Sequence, residues 1–164
     1  MHDNRQGEFE QTVRQYADNI YRIALLHTQN EMDAQDIVQE VFMKYAVNKK
    51  PFNSDEHKKA WLIRVTINMC IDLKRSSWSG KTTELTEQNE PSVNFESSES
   101  DVYHAVMKLP EKYRTVVHLF YYEDYSVRMI GKLTKQSESA VKTQLSRARV
   151  LLKDILKEEY EYAI

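Results

Sequence analysis

The apolar residues of the N-terminal half recur at steps of three and four, which is the spacing of amphipathic helices. This pattern predicts a first helix that ends near residues 27–30, a second over 33–47, and a third that begins after a cap at Ser54 or Asp55. Pro51 separates the last two helices, because proline cannot continue a helix. The predicted inner stripe of the third helix comprises Trp61, Leu62, Val65, Met69 and Leu73.

The same spacing continues in the C-terminal half and ends in two short helices joined by a polar turn. A short helix over 102–109 comes first, and Pro110 opens another, because proline is pre-organised for a first helical turn. The apolar stripes of the last two helices are Val127, Ile130 and Leu133, then Val141, Leu145, Ala148 and Leu152. Ser137 stands where an N-cap would open the last helix. The pair is typical of a helix-turn-helix, which commonly reads the major groove of DNA. The tyrosines before this pair are predicted to close the small core: Tyr121, Tyr122 and Tyr125.

Glycine and proline are scarce, with three of each among 164 residues, and no segment alternates apolar and polar residues as a strand would. The sequence therefore predicts an all-α protein. Residues 76–101 carry six acidic residues against Lys81 alone and are rich in serine and threonine, a composition typical of a flexible linker. We predict two small helical domains, 1–78 and 102–164, joined by an acidic linker over 79–101.

The charge is unevenly distributed. The net charge of the chain is −2, yet residues 128–153 carry seven basic residues and the single acid Glu138. This concentration favours binding to a polyanion, with an affinity that falls as salt rises. The early part of the last helix would then offer polar side chains to base edges: Ser139, Lys142, Thr143 and Gln144. The other interpretation is a solvated amphipathic pair that only packs on its own domain.

Several classes of function find no support in the residues. Cys70 is the only cysteine, so there is neither a disulfide framework nor a CxxC metal pair. The five histidines lack ligand spacing, and no Ser–His–Asp arrangement or glycine-rich phosphate loop is present. We therefore expect no enzyme activity, no cofactor, no metal site and no small-molecule substrate. No apolar stretch reaches the length of a membrane span, and we expect a cytoplasmic protein.

Three segments match, in order, the motifs of one family. They are DAQDIVQEVF over 33–42, AWLIRVTINMCIDLKR over 60–75, and LPEKYRTVVHLFYYEDYS followed by SESAVKTQLSRAR over 109–149. Together they resemble the extracytoplasmic-function (ECF, group IV) sigma factors of bacterial RNA polymerase. The resemblance implies a three-to-four-helix sigma domain 2, then a four-helix sigma domain 4 that contains the helix-turn-helix. It implies a subunit that directs promoter-specific initiation for a stress or envelope-response regulon. The alternative is a stand-alone helix-turn-helix regulator.

By matched position, the resemblance implies roles for three groups of residues. Those that would bind the clamp helices of the largest core polymerase subunit are Asp36, Gln39, Glu40 and Phe42. Those that would contact the melted minus-ten element are Phe52, Asn53, Asn68, Asp72 and Arg75. Those that would read the minus-thirty-five element are Ser139, Lys142, Thr143, Gln144 and Arg147. The implied partners are core polymerase, which also contributes its β flap, promoter DNA and an anti-sigma factor.

The chain departs from the family pattern at a few positions. Met129 stands where the family has a glutamate, so the capping box with Ser126 is lost. Gly131 replaces the common alanine, which should cost about 1 kcal/mol of helix propensity. Gln144 replaces a frequent arginine and would favour adenine over guanine. Arg114 lies in the entry to the second lobe, where it has either a structural role or a contact role.

Overall fold

The computed structural model describes residues 2–78 and 97–162, and their side chains over 4–75 and 102–158. These residues form seven α-helices: α1 His2–Thr28, α2 Glu31–Val47, α3 Asp55–Trp78, α4 Ser97–Met107, α5 Glu111–Tyr121, α6 Val127–Thr134 and α7 Glu138–Tyr162. The all-α class is confirmed. The helices fall into two compact units, α1–α3 and α4–α7. Most of the predicted linker lies outside the described residues, so the exact domain boundaries stay a prediction.

The first unit is a three-helix bundle in which each helix packs against the other two. Its fully buried side chains come from all three helices and include Ile20, Ile23 and Leu26 of α1, Val41 of α2, and Leu62, Ile63 and Ile67 of α3. The ends of the helices are set by local hydrogen bonds. The side chain of Asn30 accepts one from the backbone N–H of Asp33, and the Ser54 hydroxyl accepts one from the N–H of His57. These caps explain why α2 and α3 begin where they do.

The buried face of α3 is rotated relative to the sequence prediction. The residues that face the core are Leu62, Ile63, Thr66, Ile67 and Cys70. Leu62 is buried as predicted, but Trp61, Val65 and Met69 lie half-buried at the border of this face and Leu73 is exposed. The rest of the predicted inner stripe was therefore wrong by about one residue step. The physical reason is that α3 packs between α1 and α2 and therefore buries a wider face, centred away from the tryptophan.

The second unit is built around α5, which contacts α4, α6 and α7. Seven consecutive residues of α5, from Tyr113 to Leu119, are therefore buried, and three of them are polar: Arg114, Thr115 and His118. The Nη1 atom of Arg114 donates to the carbonyl oxygens of Leu109, at 3.4 Å, and Met107, at 3.5 Å. Burial lowers the pKa of this guanidinium, while Glu111 and Tyr103 oppose the shift. Arg114 thus satisfies carbonyls at the end of α4, which is a structural role.

The tyrosines at the end of α5 and just after it do not all close the core. Tyr121 is 49% exposed and Tyr122 is 41% exposed, which contradicts the prediction for both, whereas Tyr125 is half-buried. The inward position is taken instead by Glu123, whose Oε1 lies 3.2 Å from Nε2 of buried His118. Asp124, in the left-handed region with φ 57°, then turns the chain towards α6. The buried pair was not found from the sequence, because neither residue follows an apolar pattern.

Helices α6 and α7 form the predicted helix-turn-helix. The Ser126 hydroxyl accepts from the N–H of Met129, and the Ser137 hydroxyl accepts from the N–H of Ala140, both at 3.1 Å. Between the helices, Lys135 adopts the left-handed conformation with φ 57°. The polar break and the Ser137 cap predicted from the sequence are therefore confirmed, and Ser126 caps α6 although its capping-box partner is missing.

Gly131 has a role that helix propensity alone does not describe. Its carbonyl accepts from the backbone N–H of Gln136 at 2.8 Å, so the turn folds back onto α6. A Cβ atom at Gly131 would lie 2.7 Å from the carbonyl oxygen of Gln136, closer than such atoms ever approach. The glycine permits the tight turn, and the cost expected from propensity is outweighed by this steric requirement.

None of the described helices contains a stretch that is both long and apolar enough to cross a membrane.

We predict that Gly131→Ala destabilises the second unit by about 1–3 kcal/mol, because the added methyl group forces the backbone of the turn apart. Gly7→Ala is the matched control, since no atom beyond the neighbouring backbone of its own helix lies within 4 Å of the position its Cβ would take, and it should leave stability unchanged or raise it by up to about 1 kcal/mol. Urea unfolding of the full chain, followed by circular dichroism, measures both. An equal effect of the two variants would contradict this explanation.

Candidate functional site

The outer face of α2 is acidic and polar. Asp36, Gln39 and Glu40 are all exposed, and their spacing of three and four places them on one side of the helix. Phe42 differs from the other residues predicted for this face, because only 6% of its surface is exposed and it packs into the core with Val41. It can support the face from behind, but it does not present a surface to a partner in this conformation.

The same face carries exposed apolar residues that the sequence prediction missed. Met32 is 74% exposed and Met43 is 63% exposed, and Val47 is exposed at the end of the helix. Met32 precedes Asp36 by four residues and Met43 follows Gln39 by four, so the methionines flank the polar group. The steps of four, three and four residues are those of a helix that packs against another helix. This spacing could have revealed the methionines.

A second polar face runs along α3. Asn68 is half-buried, and Asp72 and Arg75 are exposed at steps of four and three, so the three lie on one side. At 1.5 Å per residue they lie about 20–30 Å along the axis from the start of α3, where the loop with Phe52 and Asn53 is found. The predicted minus-ten residues are therefore distributed along an elongated surface and do not form a single pocket.

The loop before α3 rests on a cluster of aromatic rings. The ring of Phe52 contacts the rings of Trp61, at a centroid distance of 5.5 Å, and Tyr45, at 6.2 Å. Tyr45 in turn stacks on Phe9 of α1 at 5.9 Å. Phe52 is half-buried, whereas the next residue, Asn53, is exposed. The cluster therefore holds Phe52 in place and leaves the side chain of Asn53 exposed.

The start of α7 presents a polar and basic surface. Ser139, Lys142, Thr143 and Arg147 are exposed, as predicted for residues that reach a DNA groove. Gln144 is half-buried and is held by the turn: its Nε2 donates to Oε1 of Gln136 at 2.6 Å, and Gln136 donates to Thr134 at 3.0 Å. The Oε1 atom of Gln144 is buried without a hydrogen-bond partner among the described residues. Gln144 therefore contacts the turn in this conformation, and reading a base would require it to leave Gln136.

The basic residues around this surface are not equivalent. Lys132, Lys135, Lys142 and Arg147 are exposed. Arg149 is exposed as well, but it donates from Nε to the hydroxyl of Tyr121 at 2.6 Å, and its guanidinium lies 5.8 Å from the ring centres of Phe120 and Tyr121. The side chain joins α7 to the end of α5 and covers an aromatic surface.

Two family models match the chain, one to each helical unit. Sigma-70 region 2 matches residues 12–80, and Sigma-70 region 4 matches residues 100–152, so together they cover about three quarters of the sequence. RNA polymerase sigma factor SigV of Bacillus subtilis is 27% identical over 90% of this chain and 90% of its own length. ECF RNA polymerase sigma factor SigW of the same organism is 28% identical over 93% of this chain and 91% of its own length.

The chain belongs to the ECF class of sigma-70 family RNA polymerase sigma factors.

Two solved structures have a similar fold. One is the sigma factor RpoE of Bartonella quintana, in complex with the anti-sigma factor NepR. It has a TM-score of 0.65 and 19% identity, over 92% of this chain and 97% of that one. The other is CnrH in complex with the cytosolic domain of CnrY, with a TM-score of 0.65 and 23% identity over 93% and 90% of the two chains. At these identities the likeness concerns the fold.

The family matches correspond to the candidate surfaces. The region 2 match contains the outer face of α2, the loop and the polar face of α3. The region 4 match contains α5, α6 and the exposed start of α7, and it ends ten residues before the last residue of that helix. Every residue predicted from the resemblance thus lies within a matched region of this sigma factor, and all but Phe42, Phe52, Asn68 and Gln144 have exposed side chains.

We predict that Arg147 and Arg149 of this sigma factor contribute differently to duplex binding. Arg147→Ala should reduce the slope of log affinity against log salt by about one, because an exposed cation that meets a phosphate is removed. Arg149→Ala should leave the slope nearly unchanged and lower stability instead, because its guanidinium is engaged with Tyr121. The slopes are measured by fluorescence anisotropy over a salt series, with a duplex taken from the DNA upstream of the gene that encodes this protein. Equal slope changes would contradict the distinction.

Proposed function

We propose that this sigma factor binds core RNA polymerase through the outer face of α2, opens the minus-ten element with the loop and polar face around α3, and reads the minus-thirty-five element with the start of α7. The observation that carries the proposal is the order of the region 2 and region 4 matches, each on a separate helical unit with an exposed polar face. Initiation would serve a stress or envelope-response regulon.

The chemistry of α2 suits a helical, basic partner such as the clamp helices of the largest polymerase subunit. Exposed carboxylates at Asp36 and Glu40 would steer the encounter and set the register of the two helices. The flanking side chains of Met32 and Met43 offer flexible apolar contacts, which suit a surface that must adapt to a partner. Charge would then select the partner, and apolar burial would supply much of the affinity.

The region around α3 suits an unpaired strand. Melting requires a surface that binds splayed bases better than stacked ones, since unstacking costs a few kcal/mol per base. Amide and carboxylate groups at Asn53, Asn68 and Asp72 can pair with base edges, and Arg75 can contact a phosphate. Their distribution over about 20–30 Å of helix is suited to a strand of several nucleotides.

The start of α7 suits the major groove of a duplex. Ser139 and Thr143 can reach base edges, while Lys142 and Arg147 can contact phosphates or guanine. The second unit would also contact the β flap of the polymerase. In this division of roles, the exposed side chains at the start of α7 read the minus-thirty-five element directly. Gln144, whose amide binds Gln136, would contribute only indirectly.

We also propose that the protein acts in the cytoplasm, where core polymerase works, and that it performs no catalysis and needs no cofactor. The chemistry of transcription would belong to the polymerase. The complexes of RpoE with NepR and of CnrH with CnrY support a further partner, an anti-sigma factor that covers the exposed faces until the inducing signal arrives.

We predict that Asp36→Arg and Glu40→Arg each weaken binding to core polymerase by at least tenfold, because a carboxylate that pairs with a basic partner becomes a repelling cation. Asp18→Arg is the control, since this exposed carboxylate lies on α1 and makes the same change of charge. Binding of labelled sigma factor to core enzyme, measured by fluorescence anisotropy, gives the affinities. A stand-alone helix-turn-helix regulator would show no core binding, or no effect specific to the α2 variants.

A further inference from the structure

The loop between α2 and α3 is held at two consecutive residues by different interactions. The ring of Phe52 is packed against Trp61 and Tyr45, as described above, and its third neighbour is the ring of His57, at 5.4 Å and 78°. The backbone N–H of Asn53 donates to Nδ1 of the same histidine at 3.1 Å. His57 therefore contacts both the aromatic anchor of the loop and the backbone of the exposed asparagine.

His57 forms a reciprocal pair of hydrogen bonds across the start of α3. Its backbone N–H donates to the hydroxyl of Ser54 at 3.0 Å, while its side chain accepts from the N–H of Asn53, one residue before that serine. The arrangement resembles a capping box, in which a glutamate or glutamine three residues after the cap returns to the backbone. Here an imidazole nitrogen supplies the acceptor. A ring nitrogen accepts only when it carries no proton, so this hydrogen bond requires an unprotonated Nδ1.

We propose that His57 is a positioning residue for promoter opening: its Nδ1 fixes the backbone of Asn53, so that the exposed Asn53 side chain is presented to an unpaired base of the minus-ten element. The inference rests on the proposed function of the loop. Phe52 serves as the anchor of the loop, because three rings surround it. Asn53 serves as the reading group, because its backbone is fixed while its side chain is exposed.

Fixing the loop before DNA arrives has a physical advantage. A segment that is already ordered in its binding conformation does not lose that freedom when the strand binds, so more of the contact energy goes into opening the duplex. A single backbone hydrogen bond of this kind should change the rate of opening by about threefold to tenfold.

Two substitutions separate the hydrogen bond from the ring. His57→Asn keeps an acceptor at the same bonded position, since Oδ1 of asparagine and Nδ1 of histidine are both attached to Cγ, but it removes the ring. His57→Phe keeps a ring beside Phe52 and removes the acceptor. If the hydrogen bond positions the loop, the asparagine variant should behave like the wild type and the phenylalanine variant should not.

The first measurement uses the free, full-length protein. Hydrogen exchange of the Asn53 amide, followed by ¹⁵N NMR, should accelerate by about threefold to tenfold in His57→Phe and stay close to the wild-type rate in His57→Asn. Unchanged exchange in the phenylalanine variant would overturn the proposal, whatever the DNA experiments give.

The second measurement uses the complex with core polymerase. Permanganate reactivity of minus-ten thymines should appear about threefold to tenfold more slowly with His57→Phe than with His57→Asn or the wild type, at equal affinity for core enzyme. Faster amide exchange with unchanged opening would overturn the role assigned to His57 while leaving core binding intact. Loss of core binding in the wild type itself would instead contradict the proposed function.

Discussion

In each helix that the structure describes, the residues that must pack in the core determine which positions are left to face a partner. The units are small, since their described helices lie within residues 2–78 and 97–162, and domains of this size bury barely enough apolar surface to be stable, so each helix must contribute a full stripe to the core. Residues for folding and residues for binding therefore alternate along the chain. On α2, exposed Asp36 precedes buried Ile37, and exposed Glu40 precedes buried Val41. A core substitution that rotates such a helix slightly would move its binding face as well.

In the helix-turn-helix the same constraint acts at the level of single side chains. Gly131 allows the backbone of Gln136 to approach α6, and the side chain of Gln136 binds Gln144 on α7. The angle between the helices thus depends on one missing methyl group and one amide pair. Because DNA contacts form only when α7 lies at the right depth in the groove, residues that touch no base still affect recognition. If α7 reads the duplex as proposed, Gln144 would affect recognition indirectly, from its half-buried position.

The sequence predicted well what depends on neighbours along the chain. The helices follow from apolar spacing, and the serine caps at Ser54, Ser126 and Ser137 follow from residue type and position, because a cap binds a backbone N–H within the next three residues. The exposure of the predicted polar faces of α2 and α7 could also be predicted, because helical spacing likewise depends on neighbours along the chain. Their roles at polymerase and DNA came from the family resemblance and stay predictions residue by residue.

The sequence failed where a side chain meets a distant element. The rotated face of α3 depends on packing against two helices at once, and Trp61 misled the prediction because its ring lies at the border with Tyr45 and Phe52. Buried His118 and Glu123 satisfy each other, which no apolar pattern reveals.

The most direct test of the central claim is run-off transcription from the DNA upstream of the gene that encodes this protein, with and without bacterial core polymerase. The account predicts a transcript that requires core enzyme and is weakened both by Asn68→Ala in the first unit and by Lys142→Ala in the second, with Lys157→Ala as the control about 22 Å further along α7. Salt-sensitive duplex binding by the protein alone, with no transcript in the presence of core enzyme, would contradict it and favour a stand-alone regulator.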